Sequence, residues 1–480
     1  MSASRYVREW ARSAPPRALC LLLGWAAPAH AASASYAELT ALFDSGNLLR
    51  GPAPQAPPWE DLASLRSGQE NRARLVLLRQ DLGFLPAVTT LAALRLELGL
   101  DALGQGGVPA LHDASSFVGL GFRLSADARL ELRAFPFDTD YLRLGYLHAL
   151  DWGGTNVGRR ESVFLQQTGG APGAELSLLA RQLRLFAGVK CANVPDLLSG
   201  QRRLWGALSG GSFALATPFS LDAAFGYFQR PLPGGSSFVE GASLRLVWHH
   251  GVREPELAAE PFRATSFRED PERLGAPEIP GFALALEAVT LVGAGRRVEA
   301  PTQQSLSAAP AAALYGSVRG RSLAGHAAIS WRSLAFVRRN DPRAQAADTE
   351  LRATALPELG AWLGASMVNA PFHLVPSIEL GARLPAALQA QSALRGFTQT
   401  LVVSAPAGLE ALPIGAGRLP TLTTRLALRF QASPSLALSL FGEYTRDPNR
   451  TSFVASPAGV TRSFALPDSL SVLTAAQARF

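Results

Sequence analysis

A period of two runs through most of this chain, and it restricts the fold more than any other feature. Leu94, Leu96, Leu98 and Leu100 alternate with Arg95, Glu97 and Gly99. Val118, Leu120, Phe122 and Leu124 alternate with Gly119, Gly121 and Arg123. Leu130 and Leu132 sit among Arg129, Glu131 and Arg133. The same pattern returns at 243–248, 378–384, 422–430 and 436–441. Strict alternation places one side-chain set on each face of an extended strand. Residues 141–148 repeat it more weakly, with Leu142, Leu144, Tyr146 and His148 opposite Tyr141, Arg143, Gly145 and Leu147. Nearly 400 residues of such runs without helix-length interruptions exclude a βαβ architecture.

A soluble sandwich alternates in the same way, so other features must separate it from a membrane barrel. Many of the runs have the length of roughly 10 residues that a tilted transmembrane strand requires. Aromatic residues gather near the run ends, as at Phe135, Phe137 and Tyr141, at Phe225, Tyr227 and Phe228, and at Phe441 and Tyr444; such positions form the girdles at membrane interfaces. Charged residues are 17%, below the roughly 25% of soluble domains. No apolar run approaches the roughly 20 residues of a membrane-spanning helix. The 44 glycines and 34 prolines fit many short elements joined by turns.

Both ends of the chain carry signals. Arg5, Arg8, Arg12 and Arg17 precede an apolar run from Ala18 to Ala27, and Ala29-His30-Ala31 follows. This order reads as an export signal over 1–31, cleaved after Ala31. Cys20 falls inside it, so the exported chain keeps one thiol, Cys191, and no internal disulfide. At the other end, Phe480, Ala478, Ala476, Thr474, Val472 and Leu470 share one face of a final strand. That strand resembles the terminal strand of Gram-negative outer-membrane β-barrels, which ends on Phe after alternating apolar residues. The resemblance covers about ten residues. It implies an outer-membrane location, with the lipid bilayer and the barrel-assembly machinery as partners and Phe480, Ala478, Ala476 and Val472 as the assembly signal.

The expected fold is therefore all-β: a closed antiparallel transmembrane barrel of about 16 strands, within 14–18, over residues 90–480. Residues 32–89 are expected to form a partly helical periplasmic or plug segment. Tyr36–Leu49 and Trp59–Phe84 have helix-like spacing around the Pro-rich stretch at 52–58. Short turns at 125–127 and 431–435 and long segments at 405–418 and 447–468 set an up-and-down order. The charged segment 251–280 strains that order: parity puts it at the short-turn end, which leaves either a miscounted strand or an insert there.

If the leucine faces meet lipid, the opposite faces meet the lumen. The expected pore-lining residues are Arg123, Arg133, Arg143, Arg245, Arg383, Arg425 and Arg429. Rings of arginine favour anions, so the expected function is a porin-like channel for small hydrophilic solutes with an anion preference. The alternative is a structural or surface-binding barrel whose lumen is blocked. The net charge of +7 is spread along the chain, unlike the clustered basic face of a nucleic-acid binder. The mature histidines, His112, His148, His249, His250, His326 and His373, show no metal-ligand spacing and accompany no nucleophile elbow. No enzyme, cofactor or metal site is expected.

Overall fold

The computed structural model describes residues 35–44, 48–49, 72–80, 88–99, 110–113, 116–137, 142, 144–148, 171–196, 200–216, 218–232, 235–250, 280–296, 304–320, 322–339, 353–367, 372–391, 398–404, 408–433, 435–456 and 459–479. Residues 1–34, where the export signal is expected, Arg143, 251–279 and Phe480 lie outside them. In chain order the strands are β1 (Ser35–Asp44), β2 (Arg72–Gln80), β3 (Val88–Gly99), β4 (Ala110–Asp113), β5 (Phe117–Arg123), β6 (Ala128–Phe135), β7 (Gly173–Ala180), β8 (Leu183–Asp196), β9 (Gly200–Ala216), β10 (Phe219–Leu232), β11 (Gly235–His250), β12 (Gly281–Arg296), β13 (Gln304–Arg319), β14 (Leu323–Arg332), β15 (Ala353–Leu356), β16 (Glu358–Met367), β17 (Leu374–Leu384), β18 (Ala387–Gln391), β19 (Thr398–Ser404), β20 (Gly408–Ala411), β21 (Thr421–Ser433), β22 (Leu436–Arg446), β23 (Thr451–Ser456), β24 (Gly459–Phe464) and β25 (Asp468–Arg479). A single helix among the described residues, α1 (Leu334–Arg339), follows β14; Ser333 caps it by accepting the Phe336 N–H.

Among the described residues, nineteen strands form one sheet. β4 and β5 both pair with β3, at its end and its start respectively, so they occupy one position between β3 and β6. That leaves 18 positions, each antiparallel to its neighbours, and the last strand pairs back onto the first: Leu39 lies opposite Ala478 and Ala41 opposite Ala476. The wall is a closed ring. The strand number lies at the top of the expected 14–18.

Pairing explains why the face assignments hold around the ring. On β11, Leu244, Leu246 and Trp248 are open on the outside while Ser243, Arg245 and Val247 are buried inside. On β21, Leu422, Leu426 and Leu428 are outside and Thr421 and Arg425 inside. An outer surface this apolar suits lipid and not water. Aromatic rings mark its edges. At one end Phe219 stacks on Trp248 at 6.4 Å, and Trp248 meets Phe282 edge-on at 4.9 Å. At the other, Tyr227 stacks on Phe238 at 5.8 Å. Ten residues of β11 separate Trp248 from Phe238, roughly 33 Å of strand; a tilt of about 40° reduces this to about 25 Å, the height of a barrel's lipid-facing band.

The structure revises two expectations and decides an alternative left open at a third place. Residues 35–44 and 72–80 are wall strands and not helix, so the barrel begins well before residue 90. Leu39, Leu42 and Phe43 satisfy a helical period, but Ala37, Leu39, Ala41 and Phe43 also satisfy a period of two. Ring closure requires the second, because β1 supplies the backbone partners of β2 and β25. Second, Leu142 and residues 144–148 are not part of a wall strand but run irregularly between β6 and β7. Third, no strand was miscounted near 251–280. β10 and β11 pair along their whole length, from Phe219↔Trp248 to Leu232↔Gly235, so β11 ends and β12 starts at the short-turn end.

The long-loop end carries its own structure. β15, β18, β19 and β20 form a four-stranded sheet, and β23 and β24 a hairpin. Thr451 of β23 ties the two together by donating its N–H at 2.7 Å and its hydroxyl at 2.6 Å to Glu410 Oε1 of β20. Arg418 donates to the carbonyls of Pro357 and Pro385, where chain leaves and enters the wall. Burial among these carbonyls pulls its guanidinium down from its ordinary value.

The lipid assignment is open to direct measurement. Leu244 is 51% exposed midway between the girdles, so Leu244→Arg is expected to cost about 2–4 kcal/mol in denaturant unfolding from lipid vesicles. A loss within about 0.5 kcal/mol, as at an ordinary surface site, would mean that this face does not meet hydrocarbon.

Candidate functional site: the lumen wall and its inward strap

The inner surface divides into two unlike halves. From β8 to β13 the inward residues are mostly apolar: Phe186, Leu204, Leu208, Phe228, Val239 and Leu291 join one buried cluster. From β14 to β25 they are mostly polar, including Ser330, Arg332, Glu379, Thr421, Arg425, Glu443, Thr445, Ser469 and Ser471.

Leu142 and residues 144–148 cover the apolar half, and we call them the strap. Leu142, Leu144 and Tyr146 belong to the same cluster as the wall residues beneath them. The wall is shaped to receive them. A methyl group on Gly188 of β8 would come within 2.8 Å of Leu142, and one on Gly241 of β11 within 2.6 Å of Leu144. Leu147 enters a second cluster with Val247, Ala285, Tyr315 and Trp362.

Polar contacts lock the strap. Glu287 of β12 accepts the backbone N–H groups of Tyr146 at 2.6 Å and Leu147 at 2.7 Å. Charge-assisted bonds of this kind contribute roughly 1.5–3 kcal/mol each. Gly145 makes the approach possible: its φ is +83°, and a Cβ there would lie 2.9 Å from both Glu287 Oε1 and the His148 carbonyl. The Arg245 guanidinium lies 3.7 Å from the Tyr146 ring centre and 3.4 Å from Asp222 Oδ2. Burial first, and Asp222 second, push the Tyr146 phenol up, so it stays neutral.

His148 closes the strap. It is buried, and its Nε2 lies 3.1 Å from the Ala312 carbonyl of β13. Its ring meets Phe336 of α1 edge-on at 5.7 Å. Beside it, Arg332 is bonded through Nε and NH2 to Oε1 of Glu358, at 2.9 and 2.5 Å. Burial, reinforced by Arg332, holds the His148 imidazole down at about 4.

The polar half is organised as ladders. His326, Gly364, Glu379, Arg425, Glu443 and Ser471 face one another across six successive strands. His326 reaches Glu379 at 3.3 Å, Arg425 reaches Glu379 at 3.1 Å, and Arg425 lies 3.7 Å from Glu443. Gly364 stands between His326 and Glu379, where any side chain would meet the imidazole. The side chains of His326 and Glu379 remain 27% and 28% exposed, so this half of the wall is still reached by water.

The expected pore-lining arginines are dispersed around the wall. Arg133, Arg245 and Arg425 are inward and buried, and each has a carboxylate in reach: Glu131 at 2.8 Å, Asp222 and Glu379. Arg383 is inward at the long-loop end of β17, opposite Thr421. Arg123 and Arg429 are exposed near the short-turn end, the latter 3.4 Å from Gln431. Arg143 lies outside the described residues. Of the terminal-strand residues, Val472, Ala476 and Ala478 face outward, and the two alanines lie opposite Leu438 and Leu436. The alternation puts Glu287 on the lumen face, but its role and those of Gly145 and Gly241 are not legible in the sequence. Glycines in a Gly-rich chain carry no local signature, and a lone inward acid becomes one only against the weakened alternation of its strand.

No protein-family model and no curated protein matches this sequence. Several solved structures resemble it in architecture. They include Pseudomonas aeruginosa OccK3 (OpdO), with 11% identity, TM-score 0.45, and 93% of this chain and 95% of that one covered. Pseudomonas aeruginosa OpdK, solved with vanillate, gives 11%, 0.47, 93% and 98%. The outer membrane protein OprD from Pseudomonas aeruginosa gives 9%, 0.46, 93% and 94%. A likeness this distant transfers no residue role to the present chain.

Two substitutions test the strap. Gly145→Ala should weaken docking by about 1–2 kcal/mol from the backbone conformation alone. Glu287→Ala, which orphans two N–H groups, should weaken it by about 3 kcal/mol or more. Both should raise amide exchange at 144–148 in the refolded barrel. Unchanged protection in either variant would mean that the strap is held by something else.

Proposed function

We propose that this chain is a channel of the Gram-negative outer membrane that passes small hydrophilic solutes along the polar half of its lumen. Residues 1–31 are removed on export, and the strap narrows the passage to that side. The observation that carries the reading is the contrast between the two half-walls. One is apolar and covered by the strap, while the other bears a hydrated ladder from His326 to Glu443. Rings of 16–18 strands leave an aqueous channel unless their interior is filled, and here only one side has a cover among the described residues. The reading is a conduit and not a catalyst.

We assign the channel a mild anion preference. Most buried arginines are matched by carboxylates, which limits the field they present. Arg123 and Arg429 are exposed near the short-turn end, where their charge meets the entering solution, so selectivity arises near that mouth and not at the middle. The competing reading, a barrel with a blocked lumen, draws on the same strap and cluster.

Single-channel recording of the refolded chain in a planar bilayer tests this. Stable open steps are expected, with reversal potentials shifted towards the anion side. Arg429→Glu should move that shift towards cations, while Arg425→Gln, within its carboxylate ladder, should move it less. A folded, inserted barrel without open steps would establish the blocked reading, and cation selectivity in the unaltered chain would remove the anion preference.

A further inference from the structure

We propose that the strap is an acid-released gate whose latch is the neutral imidazole of His148. The inference rests on the channel reading above, but the device itself is visible in the packing.

His148 is the one titratable side chain of the strap that changes charge in the mildly acidic range, and its seat accepts only the uncharged form. Nε2 lies 3.1 Å from the Ala312 carbonyl, so that nitrogen carries the proton. Nδ1 is buried and has no partner among the described residues. A second proton there would point at no acceptor, and such a buried donor is strongly disfavoured. The elements packed around the strap offer the cation no relief. β14 presents Arg332, a like charge. β16 presents Glu358, already bonded to Arg332. β12 presents Glu287, engaged by the strap's own N–H groups. β13 adds the Ala312 carbonyl and the neutral Tyr315, α1 adds Phe336, and Arg383 of β17 lies beyond Glu358. Arg245 of β11 covers Tyr146 next to it.

The direction of the effect follows. The docked imidazole titrates at about 4, against 6.5 when free. Docking is therefore fully supported above about 6.5 and weakens as pH falls towards 4. Between pH 6.5 and 4 the ratio of docked to released strap drops by about 80-fold. Release exposes Leu142, Leu144 and Tyr146 to water and uncovers the apolar half-wall, so the passage widens.

The experiment compares the refolded full chain with His148→Gln. Glutamine keeps an N–H donor for the Ala312 carbonyl and does not titrate. Two quantities are read from pH 7.5 to 4: single-channel conductance, and hydrogen exchange of the amides of 144–148, with the two proteins compared at equal pH. The unaltered chain should show a reversible rise in conductance and a loss of strap protection below about pH 5.5. The variant should hold both flat. An equal response in the variant would assign the effect to Glu287 or Glu358 and overturn the proposal. A protected strap at pH 4 in the unaltered chain would overturn it without any variant. Absence of current at every pH, with acid-induced exchange confined to the unaltered chain, would defeat the channel reading and leave the latch standing.

Discussion

A strand edge inside a bilayer has nothing to bond to except another strand, and the pairing of β1 with β25 removes the last such edge. Each unsatisfied backbone group in hydrocarbon costs several kcal/mol, so closure is a condition for the rest of the fold and not an embellishment of it. Closure also decides local questions that propensity leaves open. The stretch at 36–44 fits two periods, and only its role as the partner of both β2 and β25 selects the strand. Once the ring is complete, every strand has one face in lipid and one in the lumen, and the inward residues meet at fixed heights around the wall. The ladder from His326 to Ser471 is a product of that register, since its members are far apart in sequence and share nothing but their level.

Within the ring, a single carboxylate organises the interior. Glu287 is fully buried on the inner face, a costly place for a charge unless its oxygens are satisfied. The strap supplies the donors, and the wall supplies Arg245 alongside. The dependence runs both ways. Without the strap Glu287 would face the apolar half-wall with Arg245 as its cation; without Glu287 the N–H groups of Tyr146 and Leu147 would be orphaned. Such mutual satisfaction makes the docked arrangement discrete, so that its loss is a switch and not a gradual loosening. The imidazole of His148 sits at the end of this network, where one added proton on Nδ1 creates a buried donor with no acceptor among the described residues.

The sequence disclosed the class of fold and the orientation of its side chains, because alternation is a direct image of a two-faced wall. Arg245 and Arg425 are inward and Leu244 and Leu426 outward, as the period implies. It did not disclose the strap. Residues 142–148 alternate as a strand does, yet Gly145 takes a left-handed backbone that no ladder tolerates, and the partners that hold it lie about 140 residues away. Nor did it disclose that the arginine wall is largely compensated. Arg245 and Asp222, or Arg425 and Glu379, are separated in sequence and become neighbours only through strand order. Long-range pairing of this kind leaves no local trace.

One trace of the lumen's asymmetry is present in the sequence in retrospect. Where an inner wall faces water, the alternation is apolar against polar, as in β17 and β21, with Glu379, Arg383, Thr423 and Arg425 between leucines and isoleucine. Where the inner wall is covered, both faces are apolar, and the contrast fades. β12 sets Ala283, Ala285, Val289 and Leu291 inside against Leu284, Leu286 and Ala288 outside, with Glu287 the lone inward charge. A weak period in a transmembrane strand is then not noise but the mark of protein on the other side, for apolar residues on a water-filled lumen would forfeit the burial that stabilises them. The isolated acid in such a strand marks where the covering segment must bring its donors. By that reasoning β12 points to an inward-folded chain and to the position of its principal contact, though not to the segment that makes it.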